Sequence, residues 1–232
     1  MTVTNTRVIL HTPKTAGSSI RWPAMKIDGL QYSCQHCHIK MLPNQYKNMK
    51  KITFVRNPYD WYASRYSFTI KRKNHIKNLD DVFTETFSND FTKDFNDVLP
   101  LYMNLTKAFE NKFLLEKFKT KLKREVTNNY QCWLVSYWDN IDNITAESFE
   151  NRSLYDWWLN ICGVYEADAI YRIEDQHEYG LKKEFGENIN IVHRNKTNRL
   201  SNVSLYNYDN ILLVKNIDAK IFKKFGYEPT FK

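Results

Sequence analysis

The stretch from Val8 to Ser19, VILHTPKTAGSS, constrains the fold of this chain more than any other. It begins with three apolar residues, which predict a short buried strand. It then passes through a turn containing Lys14 and Gly17 into Ser18 and Ser19, residue types that open helices. The first amides of a helix have no intrahelical acceptor and carry partial positive charge, and Lys14 adds a full charge. The stretch therefore predicts a site for a phosphate or sulfate group.

A second stretch, ITFVRNPYDWYASRYSF, occupies positions 52–68 and repeats this plan. Its apolar run predicts a strand that ends at Arg56, and Pro58 suits the first turn of the helix that follows. Ser64 then lies roughly two turns into that helix. A guanidinium offers a planar fork to a phosphate, and a hydroxyl adds one donor. We therefore expect Arg56 and Ser64 to converge on a second anion.

The first stretch lacks the G-x-x-x-x-G-K-[ST] pattern of a Walker A loop. It resembles instead the 5′-phosphosulfate loop, P-K-[ST]-x-[GS]-[ST]-[ST], of sulfotransferases that use 3′-phosphoadenosine 5′-phosphosulfate (PAPS). The second stretch resembles the 3′-phosphate segment of that family, R-[DN]-P-x-[DE]-x-x-x-S-x-[YF]. The resemblance is closer to the carbohydrate type of sulfotransferase than to the small-phenol type.

This resemblance implies an α/β fold of P-loop-like, three-layer form, with a central, mostly parallel sheet flanked by helices. It also implies which residues bind the donor: Lys14, Thr15, Ala16, Gly17, Ser18 and Ser19 at the 5′ end, with Arg56 and Ser64 at the 3′-phosphate. Small-phenol sulfotransferases place a tryptophan after the two hydroxyl residues of the loop, where this chain has Ile20. The residue that holds the adenine is therefore left open, although Trp22 is near.

Two histidines, His36 and His38, lie between the anion stretches and follow a strand predicted over Gly29 to Ser33. Ligands of parallel α/β sheets bind at the carboxyl ends of strands, so these side chains should face the same crevice. The region resembles the H-x-H pair of the heparan sulfate 2-O-sulfotransferase family, whose second histidine is the base. This implies that His38 is the base and His36 its neighbour. The alternative is an ordinary surface or core histidine.

The cysteines, at positions 34, 37, 132 and 162, follow no disulfide pattern, which favours a reducing compartment. Cys34 to His38 also matches C-x-x-C-H, the attachment motif of c-type haem. We expect no haem, because no export signal precedes the motif. We expect no metal either, since a structural zinc site needs four ligands and a second ligand pair is not evident.

The region from about 70 to 160 is predicted to be helical, and the resemblance to sulfotransferases implies that it shapes the acceptor pocket. Within it, NKFLLEKFKTKLKR predicts an amphipathic helix with Phe113, Leu114 and Phe118 on one side. Several aromatic residues could stack on a sugar, but we favour a place in the core because aromatic side chains contribute much of any core. These residues are Trp133, Tyr137, Trp138, Trp157 and Trp158.

Three late segments complete the predicted fold. Residues 168–173 predict a strand, and the Glu174-Asp175 pair after it resembles the R-x-E-D segment of the family, which we interpret as capping the next helix and ordering loops. A following loop resembles one that closes the donor pocket, which makes Arg194 and Lys196 candidate PAPS contacts. The run from Tyr206 to Pro229 predicts one amphipathic helix that ends at Gly226.

Composition limits the class of protein. The 232 residues suit one domain, and a net charge of +8 with a pI near 9.1 favours an anionic partner. Mean hydropathy is −0.62, no apolar run is long enough to span a membrane, and the first residues lack the apolar core of a signal peptide. The expected location is therefore cytoplasmic.

Together these patterns predict a PAPS-dependent sulfotransferase. His38 would take the proton of an acceptor hydroxyl, while Lys14 and the loop amides would stabilise the leaving phosphate of the product, 3′-phosphoadenosine 5′-phosphate (PAP). The expected acceptor is a glycan or a small molecule, with no metal, nucleic acid or membrane span. Two alternatives stay open at this point: a nucleotide-dependent kinase of P-loop type, and a basic nucleic-acid-binding module.

Overall fold

The computed structural model describes residues 1–34, 38–71, 82–83, 86–87, 94–128, 140–190 and 205–230. The chain divides into two compact units. The first contains Met1–Asn57 and Trp158–Arg199, and the second contains Pro58–Trp157 and Leu200–Lys232. Within the described ranges, no helix is both long and apolar enough to cross a membrane.

The first unit is built on a five-stranded sheet. Its strands are β1 (Thr2–Val3), β2 (Val8–Leu10), β3 (Tyr32–Ser33), β4 (Lys51–Val55) and β5 (Ala169–Arg172), in the order β3-β1-β2-β4-β5. Strands β2, β4 and β5 pair in parallel, whereas β1 runs antiparallel to both β2 and β3. The predicted α/β class with a mostly parallel central sheet is therefore confirmed. The antiparallel strand β1 makes the sheet mixed, which the sequence did not predict.

Helices occupy most of the remaining described residues. They are α1 (Gly17–Asp28), α2 (Pro58–Lys71), α3 (Phe95–Met103), α4 (Leu105–Phe109), α5 (Lys112–Asn128), α6 (Leu154–Ile161), α7 (His177–Phe185), α8 (Tyr208–Ile217) and α9 (Ala219–Phe225). The strands predicted around positions 8, 52 and 170 and the helix predicted over 177–185 are confirmed.

The core of the first unit lies between one face of the sheet and helices α1 and α7. Alternate residues of a strand point to the same face, and Ile52 and Phe54 of β4 are both buried there. They pack with Ile20 of α1 and Leu181 of α7 in one apolar cluster. This packing fixes the start of α1 relative to the end of β2, where the first predicted anion site lies.

A buried carboxylate ties α7 to the sheet. The side chain of Glu184 is 1% exposed and accepts hydrogen bonds from Lys50 Nζ at 2.8 Å and Arg7 Nε at 3.0 Å. Tyr171 of β5 donates its hydroxyl to the same carboxylate at 2.6 Å. Such charge-assisted bonds compensate for the loss of water around a buried charge.

The second unit is helical and has an aromatic core. Phe109, Phe118, Phe149 and Trp157 are buried, with ring centroids 4.5–6.1 Å apart in neighbouring pairs. Trp158 of the first unit is also buried. Trp157 and Trp158 are therefore core residues, as predicted. Trp133, Tyr137 and Trp138 lie outside the described residues.

Two predictions for helices of the second unit are wrong. Phe113 of α5 is 73% exposed, whereas Phe118 is buried, because five residues rotate a helical position by about 140°. The C-terminal run forms two helices, α8 and α9, that meet at Asp218. The buried carboxyl of Asp218 is bound by two hydroxyls at this junction. Helix α9 does end at Gly226, as predicted, with that residue in the left-handed conformation.

Candidate anion-binding site

Parallel pairing of β2 and β4 in the first unit brings the end of the strand before Lys14 beside the end of the strand before Arg56. Leu10 lies opposite Thr53, so the residues that follow both strands leave the same edge of the sheet. Arg56, the first residue after β4, is 5% exposed and donates from Nη1 to the carbonyl oxygen of Lys14 at 3.3 Å. The guanidinium thus contacts the backbone of the lysine-bearing loop directly.

The backbone of this loop has an unusual conformation. Lys14 has φ 66° and Ala16 has φ 56°, and Thr15 between them is not in the positive-φ region. Only four non-glycine residues in the described part of the chain have positive φ, and two of them lie here. Backbone that alternates between left- and right-handed residues can turn successive N–H groups toward one point, so this loop is a candidate for an anion-binding nest. Each left-handed non-glycine residue costs about 1–3 kcal/mol, so the surrounding structure must hold the loop in place.

The loop ends where His11 lies against Gly17. Gly17 was a predicted site residue, and His11 was not. A Cβ atom built on Gly17 would lie 1.8 Å from Nε2 of His11, so the imidazole occupies the space that any larger residue at position 17 would need. His11 follows β2 directly and precedes the loop. The spacing of His11 and Gly17 carries no periodic signal, so this contact could not be predicted from the sequence.

Some polar groups of the loop are used in hydrogen bonds within the loop itself, and others are candidates to bind a ligand. The Thr15 hydroxyl donates to the carbonyl of Thr12 at 2.8 Å, and the Ser19 amide donates to Ala16 at 2.9 Å. Both groups therefore hold the turn itself. The amides of residues 15–18 precede the one from Ser19 and are the candidates to contact an anion. The buried hydroxyl oxygen of Thr12 has no hydrogen-bond partner within the described ranges, which leaves one further polar atom beside the loop.

The segment after β5 orders the chain next to Arg56. Glu174 accepts a hydrogen bond from the Asn57 amide at 2.8 Å, which confirms its predicted role in ordering loops. The predicted capping role is wrong, because Gln176 is the N-cap of α7 and makes no capping bond with its side chain. Asp175 instead binds the guanidinium of Arg172, with Arg172 Nε at 3.0 Å.

The structure says less about the other residues that were predicted to contact PAPS. Ser64 lies on α2 in the second unit and is half-buried, and its convergence with Arg56 on one phosphate stays a prediction. His36, Arg194 and Lys196 lie outside the described residues.

His38, the predicted base, follows β3 and begins the short 3₁₀ helix Ile39–Met41. Its side chain caps that helix, because Nδ1 accepts a hydrogen bond from the Lys40 amide at 2.9 Å. Burial, with a smaller contribution from the charge of Lys40, lowers the pKa of His38. The imidazole is therefore neutral at neutral pH, and its remaining proton must lie on Nε2. The residue is held as a hydrogen-bond donor at Nε2.

One expectation about cysteine is contradicted. Cys34 is disulfide-bonded, whereas the other described cysteine, Cys162, is buried and forms no disulfide. Across the described ranges, no group of three or more histidine, cysteine, aspartate or glutamate side chains could hold a metal ion.

The chain was compared with protein families, curated proteins and solved structures. No family model matches the chain, and no curated protein or solved structure matches it either.

Proposed function

We propose that this protein is a PAPS-dependent sulfotransferase of P-loop-like, three-layer fold. The observation that carries the proposal is the loop between β2 and α1. Lys14 and Ala16 hold left-handed backbone there, and the carbonyl of Lys14 accepts a hydrogen bond from Arg56. A strained, positively charged nest at the carboxyl edge of a parallel sheet is suited to bind an anion.

The donor-binding residues follow from this arrangement and from the sequence patterns. Lys14 and the amides of Thr15, Ala16, Gly17 and Ser18 would hold the 5′ end, and Arg56 the 3′-phosphate. The proposed role of Ser19 is confined to its hydroxyl, since its amide is used inside the helix. The roles of Ser64, Arg194 and Lys196 rest on the sequence patterns alone.

PAPS supplies an activated sulfuryl group whose leaving group is its 5′-phosphate. The acceptor oxygen forms a bond to sulfur as the bond from sulfur to the phosphate oxygen breaks, and that oxygen keeps the electron pair. Lys14 and the loop amides stabilise the charge that develops there, because they are fixed before the reaction and need no reorganisation. Arg56 selects a donor with a 3′-phosphate, since its planar guanidinium matches a phosphate group.

His38 is the proposed base, and its geometry sets a condition on that role. Nδ1 already accepts the Lys40 amide proton, and Nε2 carries the proton of the neutral ring. His38 can therefore accept a proton only after its bond to Lys40 is released. Without that release, His38 would act as a donor toward the sulfuryl oxygens, and His36 would be the other candidate base.

The proposed acceptor is a hydroxyl group on a glycan or a small molecule. The net charge of +8 favours an anionic ligand such as PAPS, and we propose no metal and no nucleic acid as partner. A cytoplasmic location conflicts with the disulfide at Cys34, because disulfides persist mainly in oxidising compartments. Counting free thiols in protein purified without reductant decides between a reducing, cytoplasmic location and an oxidising compartment.

Thermal unfolding with PAP, compared with ATP plus magnesium, tests the proposal. A ligand at a hundred times its Kd should stabilise the chain by about 2.7 kcal/mol. We expect PAP to raise the Tm without metal and Arg56→Ala to remove most of that shift. Stabilisation by ATP with magnesium alone would favour the kinase alternative, and stabilisation by neither ligand would contradict a nucleotide site.

A further inference from the structure

The carboxyl group of Asp218 lies in the interior of the second unit, at the junction of α8 and α9. The residue has no exposed surface. Its two oxygens bind two hydroxyls, those of Tyr62 at 2.9 Å and Ser153 at 2.6 Å. A buried carboxylate normally stays ionised through a bound cation or several N–H donors, because no water solvates it. Here both partners are neutral.

The cations near this junction bind a different carboxylate. Lys220 of α9 contacts Asp156 at 2.8 Å, and Arg152 contacts the same oxygen of Asp156 at 2.9 Å. Asp156 is 1% exposed in its side chain, and this double pairing compensates for the loss of water around its charge. Its negative charge opposes a second charge on Asp218.

The two hydroxyls that bind Asp218 are themselves held by backbone amides. Tyr62 accepts a hydrogen bond from the Tyr155 amide at 3.4 Å, and Ser153 accepts one from the Asp156 amide at 3.1 Å. A hydroxyl oxygen has two acceptor positions and one donor hydrogen. Each hydroxyl therefore accepts one amide hydrogen and donates its own hydrogen to one oxygen of Asp218, so the carboxyl group is held by neutral donors alone.

We propose that Asp218 is a proton-dependent latch of the second unit. In its neutral form it joins α2, through Tyr62, to the chain before α6, through Ser153, and to the α8–α9 junction. Ionisation leaves a buried negative charge next to Asp156 and weakens this joint. The latch is independent of the proposed sulfotransferase activity.

The charges around the latch agree with this assignment. Burial raises the pKa of Asp218, the hydroxyls of Ser153 and Tyr62 oppose that rise, the charge of Asp156 adds to it and Lys220 opposes it, and the net result is a pKa of about 7. Burial, with the charge of Asp218, also raises the pKa of Tyr62 and of Tyr59 on the same helix, so both tyrosines stay neutral. Asp218 is thus the group at this junction that titrates near neutral pH.

The expected pH dependence has a definite sign. The pKa of Asp218 is about 7 in the folded chain and 3.8 in an unfolded one. Between these values the folded state binds more protons, so stability falls as the pH rises. This one group should weaken the folding equilibrium constant roughly a hundredfold between about pH 5 and about pH 8.

Denaturant unfolding of the native chain and of Asp218→Asn across this range tests the latch. Asparagine keeps the shape of the side chain and one acceptor oxygen but cannot ionise, so the native chain should lose stability with rising pH relative to the variant. Asp209→Asn, which changes an exposed carboxylate on α8, is the matched control and should follow the native chain. Parallel curves for native and Asp218→Asn protein would overturn the proposal.

A second measurement keeps the test decisive if Asp218→Asn fails to fold. Carbon-13 NMR of aspartate carboxyl groups in the native chain should show one buried carboxyl that is protonated at about pH 5.5 and titrates near neutrality. Its signal should shift in Tyr62→Phe. Aspartates that are all ionised at about pH 5.5 would overturn the latch without any variant.

Discussion

The imidazole of His11 lies against the Cα atom of Gly17, so close that a Cβ at position 17 would be 1.8 Å from Nε2 and 2.1 Å from Cε1 of the ring. The two residues bracket the anion loop, one at the end of β2 and the other at the start of α1. A glycine is required there by the histidine as well as by any ligand that approaches the backbone.

This contact predicts a coupling between the two positions. Gly17→Ala should displace the ring or the loop at a cost of about 1–3 kcal/mol and weaken PAP binding, because overpacking forces neighbouring groups apart. His11→Ala removes the obstacle, so the double variant should recover most of the lost affinity. Calorimetric titration of PAP into the three variants and the native chain gives the coupling energy. Additive losses would show that the ring does not limit the loop.

Arg56 is expected to act on both ends of the donor. It is buried, and its bond to the Lys14 carbonyl supports the loop. Arg56→Lys keeps the charge but loses the planar fork, so PAP should bind at least tenfold more weakly, a loss of about 1.4 kcal/mol. Adenosine 5′-phosphate should lose less, because it lacks the 3′-phosphate. Equal losses for both nucleotides would mean that Arg56 only braces the loop.

His38 offers a way to separate its capping role from catalysis. His38→Asn keeps a side-chain acceptor for the Lys40 amide, whereas His38→Ala loses the cap at a cost of about 1 kcal/mol. If His38 is the base, both variants should lose roughly 10²–10⁴-fold in turnover of PAPS, while only His38→Ala loses stability. Full turnover in His38→Asn would confine the residue to capping.

The protonation of His38 is itself measurable. Burial and the charge of Lys40 lower its pKa below the ordinary value of 6.5, so the folded chain binds fewer protons here than the unfolded chain. The stability contribution of His38 is therefore complete above pH 6.5 and is lost as the pH falls through the lower pKa of the folded state. Nitrogen-15 NMR should detect the proton on Nε2 at neutral pH. A proton on Nδ1 would contradict the hydrogen bond from Lys40.

Glu184 predicts an acid-sensitive first unit. Burial alone would raise its pKa, but Lys50, Tyr171 and Arg7 outweigh that effect and lower it. Its contribution is present above the ordinary pKa of 4.5 and is lost as the pH falls through the lower folded value. Glu184→Gln should cost about 1–3 kcal/mol at neutral pH in denaturant unfolding, and less in acid.

Glu187→Gln is the matched control for that variant. Glu187 is 81% exposed and pairs with Lys182 at 3.6 Å, so its replacement should change stability by less than about 0.5 kcal/mol. Equal effects of the two substitutions would show that the buried contacts of Glu184 stabilise the fold no more than the exposed ion pair of Glu187 does.

Some features of the anion loop could be predicted from the sequence, and others could not. The apolar runs predicted β2 and β4, and parallel pairing then placed Lys14 and Arg56 at one edge of the sheet. These features follow from local composition and from a general rule of parallel sheets. The positive φ of Lys14 and Ala16 could not be predicted, because both residues usually adopt right-handed backbone and take this one only when the surrounding fold imposes it.

The errors have physical reasons of the same kind. A continuous amphipathic pattern predicted one C-terminal helix, but buried hydroxyls at Tyr62 and Ser153 bind Asp218 and end the first helix there. Both partners are distant in sequence. The loop-ordering role of Glu174 was predicted from the resemblance of Glu174-Asp175 to the R-x-E-D segment and is confirmed, but its partner, the Asn57 amide, could not be predicted because it depends on how β4 and β5 pair.

The measurement that tests the central claim most directly is calorimetric titration of the native chain with PAP and with adenosine 5′-phosphate, both in excess EDTA. The account predicts that both bind without metal and that PAP binds at least about tenfold more tightly, because Arg56 adds a contact to the 3′-phosphate. Equal affinity for the two nucleotides, or binding that needs magnesium, would contradict a PAPS site at this loop.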